Sequence, residues 1–386
     1  MSPGRDAAWP PLRDELRGLA PYGAPQLDVP VQLNVNENPY APSPRVVADI
    51  ATAVAEVTGT LNRYPDREFI ELRKALADYL VRESGVSVAP EQLWAANGSN
   101  EVMLQLLQAF GGPGRTAVSF APTYSMYPEY ARDAMTTWVA GRRREDFGFD
   151  VDHARELLDQ HRPSVVLLPS PNNPTGTALP HEVIGTLCGL LPDGVVVVDE
   201  AYAEFRRSGT PSALELLAEH RNLVVTRTMS KAFALAGARV GYLAAAPEVC
   251  DAVRVVRLPY HLSAVTQAVA TVALRHADEL LSRVDDLRHE RDRLVAWLRG
   301  RGLDVADSDA NFVLFGRFAD RHAVWQGLLD CGVLVRETGP DGWLRVSVGT
   351  PEEMAAFRDA LTRTLTGTLT GTLAGTLTRT LTEETR

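Results

Sequence analysis

Four consecutive valines, Val195 to Val198, run directly into Asp199-Glu200-Ala201-Tyr202. An apolar β-branched run with no polar alternation belongs to a strand buried on both faces, and such strands occur in parallel sheets covered by helices on each side. Further short apolar runs follow the same logic: TAVSF at 116–120, VVLL at 165–168, LVVT at 223–226 and VGYLAA at 240–245. Helical patterns separate them, so the chain reads as an α/β protein with a mainly parallel sheet. Ligands of such sheets bind beyond the carboxyl ends of the strands. The residues just after each run are therefore where chemistry is to be sought.

The 386 residues, 45% of them hydrophobic, suffice for one large α/β unit with an appendage. A formal net charge of −10 speaks against nucleic acid or an anionic membrane as the main partner, since both need a basic footprint. The three cysteines, Cys188, Cys250 and Cys331, are scattered, with neither metal-ligand spacing nor a disulfide framework, and fit a reducing cytoplasm. No apolar run reaches the length of about 18 residues that a membrane-spanning helix needs, and no signal-peptide core opens the chain.

Residues 1–44, rich in Pro, Asn and Gly, read as an extended arm that needs another surface to pack on. Residues 45–265 carry the alternating strands and helices of a large domain. After LPYHLSAVTQAVA a long charged helix leads into NFVLF, VLVR and WLRVSVG, an order that predicts a smaller α+β domain over 266–364. Residues 365–386 repeat Thr, Leu and Gly at period four; poor helix formers without caps predict a disordered low-complexity tail, to which no function is assigned.

Of the 39 basic residues only two are lysines, Lys74 and Lys231, leaving 37 arginines. A lysine kept against that bias suggests a place where only an amine of adjustable pKa will serve. Lys74 falls on the polar face of a helix whose Phe69, Leu72, Leu76 and Tyr79 recur at helical spacing, and reads as a solvated surface charge. Lys231 follows the LVVT strand in TRTMSKAFALAGARVGY, where a buried strand opens into a site.

Three other strand ends carry polar residues that a core would not want. PSPNNPTGT follows VVLL, Asp199 and Tyr202 follow VVVV, and Gly98-Ser99-Asn100 opens an amphipathic helix whose free amides suit a phosphate. Singly, these are a turn, a helix cap and a capped helix. Together with Ser230-Lys231 and Arg239 they supply an amine for an imine, a carboxylate for a ring nitrogen, donors for a phenolate and a phosphate cradle. That inventory matches pyridoxal 5'-phosphate.

In this order, from about residue 20 to 364, the pattern resembles the fold-type I pyridoxal-phosphate-dependent aminotransferases. NVNENPYAPSP, NRYPD, AANGSNE, PTYSMY, SPNNPTGT, VVDEAY, TRTMSKAFALAGARVGY, LPYHLSAVTQ, SDANFVLF and LRVSVGT are most similar to its histidinol-phosphate aminotransferase family, in particular the actinobacterial type. The resemblance implies a large domain with a mainly parallel seven-stranded sheet, a smaller α+β C-terminal domain, and a homodimer with the site near the subunit interface.

It also implies roles. Lys231 would bind the cofactor covalently and move the substrate's α-proton, and Asp199 would keep the ring nitrogen protonated. Asn173 and Tyr202 would hydrogen-bond the phenolate oxygen, and Tyr124 would stack on the ring. Ser99, Asn100, Thr228, Ser230 and Arg239 would hold the phosphate, Arg239 being buried by that task, and Tyr64 would reach in from the other subunit. Arg345, Arg336 and Tyr22 would meet substrate. The activity implied is transamination of L-histidinol phosphate with 2-oxoglutarate, giving imidazole acetol phosphate and L-glutamate in histidine biosynthesis. An aromatic amino acid aminotransferase shares nearly all these motifs, and a phosphoamino-acid decarboxylase would keep the cofactor set. A pyridoxal-phosphate-binding transcription regulator would need a DNA-binding domain, for which the arm is too short and not basic.

Overall fold

The structure, a computed structural model, describes residues 12–366. Seven strands form one sheet: β1 (Leu93–Ala96), β2 (Thr116–Ala121), β3 (Thr137–Arg142), β4 (Val165–Pro169), β5 (Val195–Asp199), β6 (Leu223–Thr228) and β7 (Gly241–Ala245). Their spatial order is β1-β7-β6-β5-β4-β2-β3. Neighbours pair in parallel except at β7, which runs antiparallel to both β1 and β6. Strands β4 to β7 are buried at every residue, which is why they stand out as apolar runs. The two strands that the runs do not mark lie at the sheet's edges. β1 has four residues, two of them alanine, and β3 (TWVAGR) is largely open to solvent, as an edge strand can be.

A second core is built on a four-stranded antiparallel sheet of Asp304–Val305, β8 (Phe312–Gly316), β9 (Arg336–Glu337) and β10 (Trp343–Ser347). Leu294 and Leu298 of the helix Val284–Arg299, Leu328 of the helix Arg321–Asp330, and Phe357 and Leu361 of a helix at 351–366 pack with Phe312, Phe315 and Leu344 of this sheet. The helix Ala264–Arg275 packs instead into the first core through Ala270, Ala273 and Leu274, so the second core takes over only from Val284. The surface that the arm needs is this second unit: Val31–Gln32 pairs in parallel with Val333–Leu334, and Leu33 is part of the core. The last described helix carries the start of the Thr/Leu repeat, with Leu365 against the second core; residues 367–386 lie outside the described residues. Among the described residues no helix is long and apolar enough to cross a membrane.

Lys74 is on the exposed side of the helix Ile70–Ser84, 2.9 Å from Glu71, while Leu72, Leu76, Tyr79 and Leu80 are buried.

Candidate active site

The carboxyl ends of β1, β2, β4, β5 and β6 open on one cavity. It is lined by Ser99 and Asn100 after β1, Tyr124 after β2, Asn173 after β4, Asp199 and Tyr202 at β5, and Thr228, Ser230 and Lys231 at β6, with Arg239, Tyr22, Arg336 and Arg345 completing the wall. The structure thus brings together all the candidate residues except Tyr64.

At one end is a cradle suited to a phosphate. Gly98, at φ +84°, precedes the helix Ser99–Phe110, whose free N–H groups face that end of the cavity. A Cβ at Gly98 would lie 2.4 Å from Arg239 Nη2, and one at Gly241 would lie 2.1 Å from Ser99 N. Glycine at both positions is what lets β7, the helix start and the guanidinium come so close. Thr228 Oγ1 donates to Ser230 Oγ at 3.0 Å, and Arg239 Nη1 to the same Ser230 oxygen at 3.3 Å. Arg239 is not buried as expected. It is exposed in the single chain, because its guanidinium stands over the cavity and not in the core.

Asp199, 6% exposed, ends β5. Tyr127 Oη donates to its Oδ2 at 3.0 Å and Thr226 Oγ1 to its Oδ1 at 3.1 Å. Burial pushes the carboxyl up to about 6, and these two hydrogen bonds restrain the rise. A cation brought against Asp199 would hold it ionised. Lys231 Nζ donates to Val35 O of the arm at 2.9 Å. Burial, with Arg345 and Arg239 nearby, pushes its amine down to about 8.

At the other end Arg336 and Arg345 are register partners on β9 and β10. Arg345, 6% exposed, donates to Asn173 Oδ1 and, at 2.9 Å, to Asn34 O; Arg336 Nη2 donates to Gly23 O at 3.3 Å. Tyr22 Oη is 2.9 Å from Ser125 Oγ. Among the described residues Arg336, Arg345, Arg239 and Lys231 make no ion pair with a carboxylate. Four basic side chains facing one carboxylate in a single cavity call for anionic ligands.

Tyr64 lies elsewhere, 80% exposed and stacked on Tyr260 at 4.4 Å between ring centroids. Its hydroxyl does not line the cavity of its own chain.

Reasoning from sequence missed the residues that hold the site from behind. Tyr127 stands in PTYSMY and Thr226 in LVVT, but nothing local links either to Asp199. Arg227, beside Thr226 and 1% exposed, binds Glu200 Oε2 through Nε at 3.0 Å and Nη2 at 2.8 Å, and Glu83 Oε2 through Nη1 at 2.7 Å. Burial alone would lower its pKa, but Glu200 and Glu83 outweigh that and hold it charged. Arg206 joins the same two glutamates. This network clamps the ends of β5 and β6, from which Asp199, Tyr202, Thr228 and Lys231 project. Among the described residues no cluster of side chains could hold a metal ion.

The residues present fit pyridoxal phosphate: a cradle with hydroxyls, helix N–H groups and an arginine, a buried carboxylate, and a lysine whose amine is easily made neutral. Comparison with known proteins bears on the same chemistry. Residues 29–361 match the model of the aminotransferase class I and II family. A protein of Thermobifida fusca named histidinol-phosphate aminotransferase is 64% identical over 91% of this chain and 94% of its own length. The crystal structure of histidinol-phosphate aminotransferase from Sinorhizobium meliloti in complex with pyridoxal 5'-phosphate shares the fold, with a TM-score of 0.77 at 24% identity, covering 88% of this chain and 92% of that one. A mutant aspartate aminotransferase of Thermus thermophilus aligns with a TM-score of 0.77 and 28% identity, covering 92% and 98% of the two chains.

Proposed function

The chain belongs to the class I and II aminotransferases, and from that premise we propose that it transfers the amino group of L-histidinol phosphate to 2-oxoglutarate, in histidine biosynthesis. The observation that carries this reading is the unneutralised pair Arg336 and Arg345 in the same cavity as the Arg239 cradle. One anion site suits the cofactor's phosphate. The second suits either a substrate phosphate or a substrate carboxylate, which are the anions that histidinol phosphate and glutamate bring in turn.

Pyridoxal phosphate, when bound, supplies a carbonyl to receive the amino group and a ring to take up the electron pair left by the departing α-proton. Ser99, Asn100, Thr228, Ser230 and Arg239 would hold its phosphate. Asp199 would pair with its ring nitrogen and keep that nitrogen protonated, Asn173 and Tyr202 would meet its phenolate oxygen, and Tyr124 would cover its ring. Lys231 would hold the cofactor covalently until substrate arrives. Its freed amine, whose pKa burial lowers in the cofactor-free chain, would then take the proton from the substrate α-carbon. Arg345 would orient the substrate anion, with Arg336 and Tyr22 at its distal end.

The reading includes a homodimer. Tyr64, Val255 and Leu258 are 80%, 84% and 73% exposed. A second copy of the chain would cover this apolar surface and receive the Tyr64 hydroxyl at its phosphate cradle.

A panel of amino donors with 2-oxoglutarate at equal enzyme concentration tests the assignment. Histidinol phosphate is expected to be the preferred donor. A preference for phenylalanine would move the chain to the aromatic aminotransferases.

A further inference from the structure

Asn36 is 2% exposed and has a left-handed backbone, φ 57°, which asparagine adopts more readily than most residues. Its backbone N–H donates to Ser347 Oγ at 2.8 Å, and that hydroxyl lies 3.0 Å from Asn36 Oδ1. Asn311 Nδ2 donates to Asn36 O at 3.0 Å. A serine hydroxyl has one hydrogen to give and already receives the Asn36 N–H, so it meets Oδ1 as a donor. The amide NH2 of Asn36 is thereby directed the other way, onto Tyr202 Oη at 3.0 Å. Tyr202 accepts this bond, and among the described residues no acceptor takes its own hydrogen. That hydrogen is left for the cavity that Tyr202 lines.

We propose that Asn36 is a positioning residue that makes Tyr202 a hydrogen-bond donor toward the cofactor's phenolate oxygen, with Ser347 fixing the direction of the Asn36 amide. The inference rests on the functional reading above and adds to it a residue from the arm. It also ties the two ends of the site together, since Ser347 lies two residues beyond Arg345 on β10 and Arg345 in turn donates to Asn34 O. The other ionisable groups facing Tyr202 are Asp199, Arg345, Tyr22 and Tyr124, with Lys231 in the same cavity. None of them substitutes for Asn36, because none is within hydrogen-bonding distance of the Tyr202 hydroxyl.

The test is a pH titration of the visible absorption of the protein loaded with pyridoxal phosphate. A donor to the phenolate oxygen favours the deprotonated chromophore, so losing that donor raises the titration midpoint. Tyr202→Phe is expected to raise it by about one pH unit, the scale of one hydrogen bond to a charged oxygen. Asn36→Asp should do the same, because a carboxylate there accepts the Tyr202 hydrogen and turns it from the cavity. In the Tyr202→Phe background, Asn36→Asp should add little, whereas a through-space effect of the new charge would persist. Ser347→Ala, which releases the amide without adding charge, should shift the midpoint in the same direction by less, and it carries the test if Asn36→Asp does not fold. An Asn36→Asp midpoint equal to wild type, or a shift that survives undiminished in Tyr202→Phe, overturns the inference and leaves the functional reading standing. A wild-type protein that takes up no pyridoxal phosphate overturns both.

Discussion

Arg336 and Arg345 sit opposite one another across the β9–β10 hairpin, two arginines in direct backbone register, and among the described residues neither pairs with a carboxylate. Like charges opposed across strands are destabilising unless something comes between them. Arg345 is buried and Arg336 only partly so, which gives them unequal tasks.

Arg336→Leu is expected to lower kcat/KM for histidinol phosphate by roughly 30-fold, about 2 kcal/mol of transition-state binding, and to affect the glutamate half-reaction less. Replacing Arg345 should impair both. Pre-steady-state conversion of the cofactor to its aminated form, with each donor alone, makes the comparison. Equal losses for the two donors in Arg336→Leu would deny it a phosphate-selective role.

Asp199→Asn should slow α-proton removal more than it weakens substrate binding. The amide can still hydrogen-bond the ring nitrogen but cannot favour its protonated form, so the electron pair loses its acceptor. Single-turnover rates with α-deuterated donor report this step, and an unchanged rate contradicts the role. In the cofactor-free chain burial raises this carboxyl to about 6, so it is ionised above that pH and neutral below it. Cofactor affinity should therefore fall as the pH drops through 6.

The Lys231 amine, lowered from 10.5 to about 8, is protonated below pH 8 and neutral above it. Only the neutral form attacks a carbonyl. At pH 7 roughly a tenth of it is neutral, against roughly one part in three thousand for an ordinary lysine. Covalent capture of pyridoxal phosphate by the cofactor-free protein should accelerate with pH and level off just above 8. A rate still climbing tenfold per unit at pH 9.5 would show an unperturbed amine.

Arg227 is a prediction about stability. Arg227→Leu strands Glu200 and Glu83 in the interior beside the remaining Arg206 and should cost about 3–5 kcal/mol, as truncating one side of a buried ion pair does. The urea midpoint of the cofactor-free protein measures it. A change under about 1 kcal/mol would mean that the network relaxes to water.

Much of the site was legible because this chemistry asks for one residue type at one place. A lysine after LVVT and a carboxylate at the end of VVVV stand where apolar runs mark buried strands, and a Gly-Ser-Asn helix start follows β1, which no such run marks. The remainder depends on contacts between distant positions. Tyr127 and Thr226 reach Asp199 across 72 and 27 residues of sequence, and Asn36 reaches Ser347 across 311. Arg227 looks in sequence like any other of the chain's arginines until the fold surrounds it with glutamates. The edge strand β3 escaped because an edge strand need not be apolar, β1 because LWAA, though buried, is short and half alanine, and the exposure of Arg239 reflects a guanidinium that faces a ligand cavity.

All of this turns on Lys231 being the amine that holds the cofactor, and one measurement addresses it directly. The protein loaded with pyridoxal phosphate is reduced with borohydride, digested, and mapped for the pyridoxyl group by mass spectrometry. With only two lysines in the chain the result is unambiguous. The visible band should vanish and the label should appear on Lys231 alone; label on Lys74, or on neither, would contradict the account.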